Sequence, residues 1–276
     1  MLGVHKKTAG NQAIVKIDRQ RIEANFSKAS HTYDRFARMQ KKATELLLEQ
    51  IELNLVSLPH GPVLELGCGT GQMSERLNQI LELRGLVLSD IATGMVAMTQ
   101  QKIAQMEKTS NSISYKVLDA EKLSGNAIYA AVFSGMTVQW FKDFHGTLQR
   151  LYATLLPGGQ FIFSCLVRGS FPEWLSVCKQ IDLPCTANIQ PDSHNLKQTV
   201  AEVLGSDELV SRTIKIDYPS AAYFFRSLKS TGTNVQIEGD RLTSSQMRRL
   251  IRFWDEGLGG EKLNISYIVD ILIAKK

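Results

Sequence analysis

Three glycines within five positions, Gly67, Gly69 and Gly71 in "VLELGCGTGQMSERL", separate a short apolar run from a helical-looking one. Residues without Cβ permit positive φ and let a ligand approach the backbone closely. An open α/β sheet binds ligands beyond the carboxyl ends of its strands, and the first strand-to-helix turn normally lies at that place. Two acids fall in step with the glycines. Glu65 precedes them within the strand, and Asp90 ends the next strand about 20 residues on, where a carboxylate accepts hydrogen bonds from both ribose hydroxyls. The dinucleotide fingerprint G-x-G-x-x-G requires a small residue at position 72, where Gln72 stands, so a pyrophosphate is disfavoured. "VLDAEKL" puts Asp119 and Ala120 at the end of a third strand, in reach of the edge of an adenine. The chemistry implied is nucleoside binding, with the cofactor still open.

The elements that must position these residues follow from periodicity. From Ile22, apolar residues recur at three- and four-residue steps through Phe26, Ala29, Tyr33, Phe36 and Ala37, and "ARMQKKATELLLEQIELNL" continues helically to Leu55. Two N-terminal helices bent near His31 to Tyr33 are expected before the breakers of "SLPHGP". Beyond Pro62, "VLEL", "GLVLSD", "ISYKVLD", "YAAVFSG" and "GGQFIFSCLV" read as strands, the last after a Pro-Gly-Gly turn. "QMSERLNQIL", "GMVAMTQQKIAQM" and "FHGTLQRLYATLL" read as helices. Strands alternating with such helices require right-handed crossovers and a parallel sheet covered on both faces, a doubly wound α/β fold.

The end of the chain departs from this rhythm. "LVSRTIKIDY" and "ISYIVDILIA" are strands that should pair, yet nearly fifty residues separate them, far more than a hairpin loop needs. "SAAYFFRSLKS" and "TSSQMRRLIRFWDEGL" between them are helical, the second with a Thr/Ser capping signal. The expected organisation is an N-terminal helical lid over 1–58, a nucleoside-binding core over 59–218 and 265–276, and a helical cap inserted at 219–264. Lid and cap together are expected to form the substrate entrance.

Composition sets the frame. At 276 residues and 43% hydrophobic the chain can bury one large core with a sizeable insertion. No apolar run spans a bilayer and the N-terminus lacks a signal peptide's apolar block, so a cytoplasmic protein is expected. The four cysteines form no Cys-x-x-Cys pair and no metal-ligand spacing with the five histidines, so no metal is expected. A formal charge of +5 suits an acidic partner or a plain soluble surface.

"VLELGCGTG", Asp90, "LDAEKL" and "LLPGGQFIFS" together resemble the class I S-adenosylmethionine-dependent methyltransferases, whose sheet is Rossmann-like. Outside that core, "FSKASHTYDRFARMQKKAT", "SGMTVQWFKD", "LVRGSFPEW", "FFRSLKSTGT" and "NISYIVDILIAKK" are similar to segments of the malonyl-acyl-carrier-protein O-methyltransferases of biotin synthesis. The resemblance implies S-adenosylmethionine as cofactor and malonyl acyl carrier protein as partner, with neither membrane nor nucleic acid. It implies Glu65 and the glycine loop near the methionine end, Asp90 on the ribose, Asp119 and Ala120 at the adenine, and Ser134 among the cofactor residues. The stretch before Asn25 is longer than the family leads one to expect, and "SDIATGMV" is a loose version of its segment.

A carboxylate acceptor is ionised at neutral pH, so its methylation needs no general base, and no catalytic residue is assigned. A short diacid still needs a cation for its other carboxylate. Arg168, Arg226 and Lys229 are the candidates, each equally readable as a solvated surface charge. Tyr33 reads either as a lid residue over the methyl donor or as a core aromatic. Asp119 is alternatively a helix cap. The methionines of "MVAMTQQKIAQM" read as core, Trp140 and Trp174 as packing between cap and core, and His31 and His145 as surface residues. Two other readings stand beside the leading one: a methyltransferase for another small acid, a quinone precursor or a natural product, and a non-catalytic cofactor- or carrier-binding module.

Overall fold

The computed structural model describes residues 19–81, 84–106, 112–205, 208–234 and 242–276. Residues 1–18 of the expected lid and 235–241 of the expected cap lie outside them. Two helices lead, α1 (Arg19–Phe36) and α2 (Arg38–Asn54). Then follow β1 (Val63–Leu66), α3 (Gln72–Ile80), β2 (Leu86–Asp90), α4 (Thr93–Ala104) and β3 (Ile113–Val117). β4 (Tyr129–Gly135), α5 (Phe144–Thr154) and β5 (Leu155–Leu166) continue the alternation. After α6 (Pro172–Gln180) and α7 (Ser193–Leu204), β6 (Glu208–Tyr218) and β7 (Leu263–Lys275) flank α8 (Ala221–Ser230) and α9 (Ser244–Gly257).

The strands form one sheet in the order β3-β2-β1-β4-β5-β7-β6. β1 to β5 run parallel, while β7 is antiparallel to both β5 and β6. All four residues of β1 are buried because both faces of the sheet are covered. Val63 packs with Leu47, Ile51, Met73, Leu77 and Ile103 from α2, α3 and α4. Leu64 and Leu66, pointing the opposite way, pack with Leu148, Leu151 and Val200 from α5 and α7. A third cluster joins α6, α8 and α9 to the ends of β6 and β7, with Trp174, Phe224 and Trp254 among its members. The order of strands reverses between β1 and β4, so the loops after those two strands open a crevice at the carboxyl edge.

Three local expectations change. The N-terminal helices bend at Ala37, not at His31 to Tyr33. Ala37 is buried and leaves helical geometry at ψ 41°, while α1 stays helical through Thr32 with ordinary back-bonding to Ala29. Pro157 to Gly159 lie within β5 as an irregularity, and the register against β4 shifts between Tyr129 and Ala131 to absorb them. Helices α6 and α7 fill a stretch that the periodicity left without elements. Pro172 in the first turn of α6 and the Asp192 side chain capping α7 through the Asn195 N–H are the start signals there.

Candidate active site

The glycine loop is built by its own backbone. Gly67, Gly69 and Gly71 have φ of 74°, 55° and 87°, and the N–H groups of Gly67 and Cys68 both donate to the Ser89 carbonyl at 2.8 Å, tying the loop to β2. The glycines serve different ends. A Cβ on Gly67 would collide with the Thr137 hydroxyl, and one on Gly71 would lie 3.3 Å from the Thr99 Cα on α4. A Cβ on Gly69 would meet nothing within 4 Å, because Gly69 faces a cavity.

That cavity, of about 100 Å³, is lined by Gly67, Gly69, Asp90, Asp119 and Ala120, five residues singled out in the sequence. Asp90 Oδ2 accepts from the Gly69 N–H at 3.0 Å and Oδ1 from the Ala92 N–H at 2.8 Å. Each oxygen keeps acceptor capacity for a further donor. Burial outweighs these bonds and lifts the Asp90 carboxyl to about 6. Asp119 combines a cap with a place in the cavity wall. It caps the turn at Ala120 by accepting from the Glu121 N–H at 3.0 Å, and it lines the cavity, where Arg19 of α1 pairs with it and with Glu121.

Glu65, Gly71 and Ser134 lie behind the wall. Ser134 is buried and donates to the Leu66 carbonyl at 3.0 Å, a bond between neighbouring strands. Glu65 is buried and accepts from Ser74 of α3 at 2.6 Å, fastening helix to strand beneath the loop. Burial raises its carboxyl to about 7, with Ser74 opposing and the Asp90 charge adding to the rise.

A larger cavity of about 470 Å³ adjoins the first. Phe26, Tyr33, Met136 and Trp140 line both and mark their junction. Tyr33 is held as a neutral phenol, its pKa driven well up by burial and then by the charges of Asp90 and Asp34. Met136 occupies the left-handed region at φ 53°, its N–H donating to the Ser164 carbonyl at 2.9 Å and its carbonyl accepting from Gln139 at 2.8 Å. Helix α1 lies across both cavities. Its Asp34 accepts from Thr70 of the glycine loop and pairs with Lys102 of α4 at 2.9 Å, while Thr32 donates to the Ser230 carbonyl of α8 at 2.8 Å.

Of the three cations expected at substrate, the structure brings only Lys229 to the larger cavity. Arg168 is 68% exposed and pairs with Asp192 at 3.5 Å. Arg226 is exposed on α8 and stays off the wall, which Phe225 and Lys229 of the same helix line. Arg21 of α1 lines it instead, a residue passed over because it sits on the polar side of a helical repeat. Trp174 packs in the aromatic cluster as expected, with Phe225 at 5.0 Å. Trp140 does not join cap to core, for it stands edge-on to Phe26 at 5.6 Å in the junction. Met95, read as core, is buried yet lines the smaller cavity. Among the described residues no group of three or more His, Cys, Asp or Glu could hold a metal ion, and no helix is long and apolar enough to cross a membrane.

Residues 63–159 match a protein-family model described as a methyltransferase domain. The chain carries a class I, S-adenosylmethionine-dependent methyltransferase domain. Over 254 residues it is 27% identical to the malonyl-[acyl-carrier protein] O-methyltransferase of Priestia megaterium, covering 87% of this chain and 90% of that one. It is 30% identical to the biotin biosynthesis bifunctional protein BioHC of Teredinibacter turnerae, across 88% of this chain and 44% of that one. A putative methyltransferase from Bacillus halodurans superposes with a TM-score of 0.56 at 14% identity, covering 82% of this chain and 97% of that one, a likeness of fold. The methyltransferase domain suits its cofactor at two points: Gly69 leaves open space where any side chain would intrude, and Asp90 presents a half-buried carboxylate with unused acceptor sites.

Proposed function

We propose that the protein transfers a methyl group from S-adenosylmethionine to the free carboxylate of a malonyl thioester borne by acyl carrier protein, a step of biotin precursor synthesis. One observation carries this reading. The likeness to a protein of that printed name extends over 254 residues, more than twice the span of 63–159, and so beyond the methyltransferase domain into elements that line the larger cavity.

When bound, S-adenosylmethionine supplies a methyl group on a sulfonium, open to in-line displacement. The protein's part is alignment and the exclusion of water. In this reading Asp90 accepts from the ribose hydroxyls, Asp119 and Ala120 face the adenine, and Gly69 lets the chain of the cofactor pass close to the backbone. Phe26, Met136 and Trp140 close the junction with apolar surface. The Tyr33 phenol, protonated throughout the working pH range, is a donor poised between donor and acceptor. Lys229 and Arg21 give the larger cavity the positive charge an acid requires. The acceptor carboxylate is already ionised, so no residue needs to remove a proton.

The test is direct. Purified protein incubated with S-adenosylmethionine and malonyl carrier protein should add one methyl group to the carrier-bound acyl chain, as an ester seen by mass spectrometry. Tight S-adenosylmethionine binding by calorimetry with no transfer to malonyl carrier would overturn the acceptor and leave a methyltransferase for another acid. Absence of transfer to every carboxylate offered would leave a binding module.

A further inference from the structure

Two tyrosines on the wall of the larger cavity spend their polar ends on each other. Tyr218 closes β6 and Tyr267 lies within β7; in the antiparallel ladder Tyr218 stands opposite Leu263 and Tyr267 opposite Ile214. Four positions separate them along the strands, about 14 Å at the rise of a strand, so it takes the length of both side chains to bring the hydroxyls within 2.7 Å of each other. The pair is packed in rings, with Phe171 at 5.0 Å from Tyr267 and Phe224 at 5.3 Å from Tyr218. Both tyrosines are buried, and burial raises both phenols, so each keeps its proton. Each phenol brings one donor, and one of the two is spent between them. Ser227 of α8, buried on the same wall, turns its own proton to the Phe224 carbonyl at 2.7 Å. Among the described residues the phenol–phenol bond is the one hydrogen bond within 3.5 Å that either oxygen makes, which leaves one phenol proton without a protein acceptor.

What remains is an uncharged donor set among aromatic rings. The cations on this wall, Lys229 and Arg21, are both exposed and so belong to its rim. An uncharged oxygen suits the phenols better than a second carboxylate, which would give up its water for a single hydroxyl. We propose that Tyr218 and Tyr267 form a subsite for a carbonyl oxygen, the thioester carbonyl of the acceptor, and so select acids that carry an uncharged carbonyl beside the carboxylate to be methylated. On the proposed reaction, which this subsite presupposes, the acceptor is held at two points, its carboxylate at the junction of the cavities and its carbonyl at the phenols. An acid without the carbonyl is held at one. A site that hydrogen-bonds one substrate oxygen discriminates against an analogue lacking it, because the buried donor is then left unpaired.

The test is calorimetry on the whole protein, saturated with S-adenosylhomocysteine so that no transfer occurs. Two probes are compared: malonyl pantetheine, and the same chain with a methylene in place of the thioester carbonyl. Wild type should bind the first about three- to tenfold more tightly, the worth of one neutral hydrogen bond. Tyr218→Phe combined with Tyr267→Phe removes both hydroxyls and keeps both rings, a change the fold should tolerate. In that variant the two probes should bind alike, with affinity for the thioether and for S-adenosylhomocysteine as in wild type. Each single variant leaves one phenol without the partner that orients it and should lose part of the preference, which decides the matter if the double variant does not fold. No binding of either probe, no preference in wild type, or an undiminished preference in the variants would overturn the subsite. An equal loss of affinity for both probes would overturn it too, as the mark of packing alone. The expected preference without any transfer to malonyl carrier would leave the subsite standing and overturn the reaction.

Discussion

The two cavities that meet at Phe26, Tyr33, Met136 and Trp140 are assembled in opposite ways. The smaller one is walled mainly by the ends of β1, β2, β3 and β4 and the turns that follow them, so it is made where a parallel sheet makes sites. The larger one draws on α1, α2, the segment between α6 and α7, α8, α9 and β7, elements that lie far apart in the chain. Substitutions on the donor side should therefore act through backbone and burial, and those on the acceptor side through charge and steering. Substitutions at five places can break or sharpen that contrast.

The largest effect is expected in the glycine loop. Gly67→Val places its Cβ 2.9 Å from the Thr137 Cβ at a φ of 74°, so overpacking and left-handed strain, each about 1–3 kcal/mol, should combine to destabilise the fold in urea titrations. Gly69→Val meets no neighbour and should remain folded by circular dichroism, yet lose S-adenosylmethionine binding because its side chain fills the cavity. Normal binding by that variant would break the donor assignment.

Next comes Glu65. Its folded pKa, about 7, lies above the ordinary 4.5, so the protonated form is the one the fold favours. The associated stability is complete below pH 4.5 and is lost as pH rises through 7, a change of about 3 kcal/mol. Urea unfolding of Glu65→Gln should lack this fall between those pH values. Parallel curves for variant and wild type would show that Glu65 is not held protonated.

Asp90→Asn should weaken S-adenosylmethionine binding by roughly 1.5–3 kcal/mol, the loss of charge-assisted bonds to two hydroxyls. KM for the acceptor should stay as it was. A change confined to the acceptor would reverse the assignment of the two cavities.

On the acceptor side, Lys229→Glu should raise KM for malonyl carrier by a factor equivalent to about 1 kcal/mol, and more at low salt than at high. Calorimetry should find cofactor affinity unchanged. A KM insensitive to both substitution and salt would remove Lys229 from the acceptor path. Smallest of all, Arg168→Ala should leave KM and cofactor affinity unaltered, because it severs only an exposed pair with Asp192. A raised KM there would favour a different substrate orientation from the one drawn from the cavity.

What could be read in the chain and what could not divides along the same line. Asp90 was legible because a strand's carboxyl end fixes where its last side chain stands relative to a loop hydrogen-bonded to that strand. Gly69 was legible because positive φ at a strand-to-helix turn has a residue signature. Lys229 and Arg226, three apart on one helix, carried the same signal in sequence, and only the packing of α8 in the fold put the first on the cavity wall and left the second off it. Arg21 carried no signal, since the apolar stripe of α1 defines its buried face and says nothing of which polar residue overhangs a cavity. The same limit explains Trp140, an aromatic whose partner, Phe26, lies on a helix more than a hundred residues earlier.

The sequence by itself determined the strands, the helices between β1 and β5, the long connection from β6 to β7 and the glycine turn at which the smaller cavity opens. These follow from periodicity, capping and the steric freedom of glycine, which act within a few residues of one another. Tertiary structure decided the rest: the bend at Ala37, the crossing of α1 over both cavities, and the choice of Lys229 over Arg226 and Arg168. Each depends on which surface is buried against which, and that balance is struck among elements far apart in the chain, where no local pattern records it.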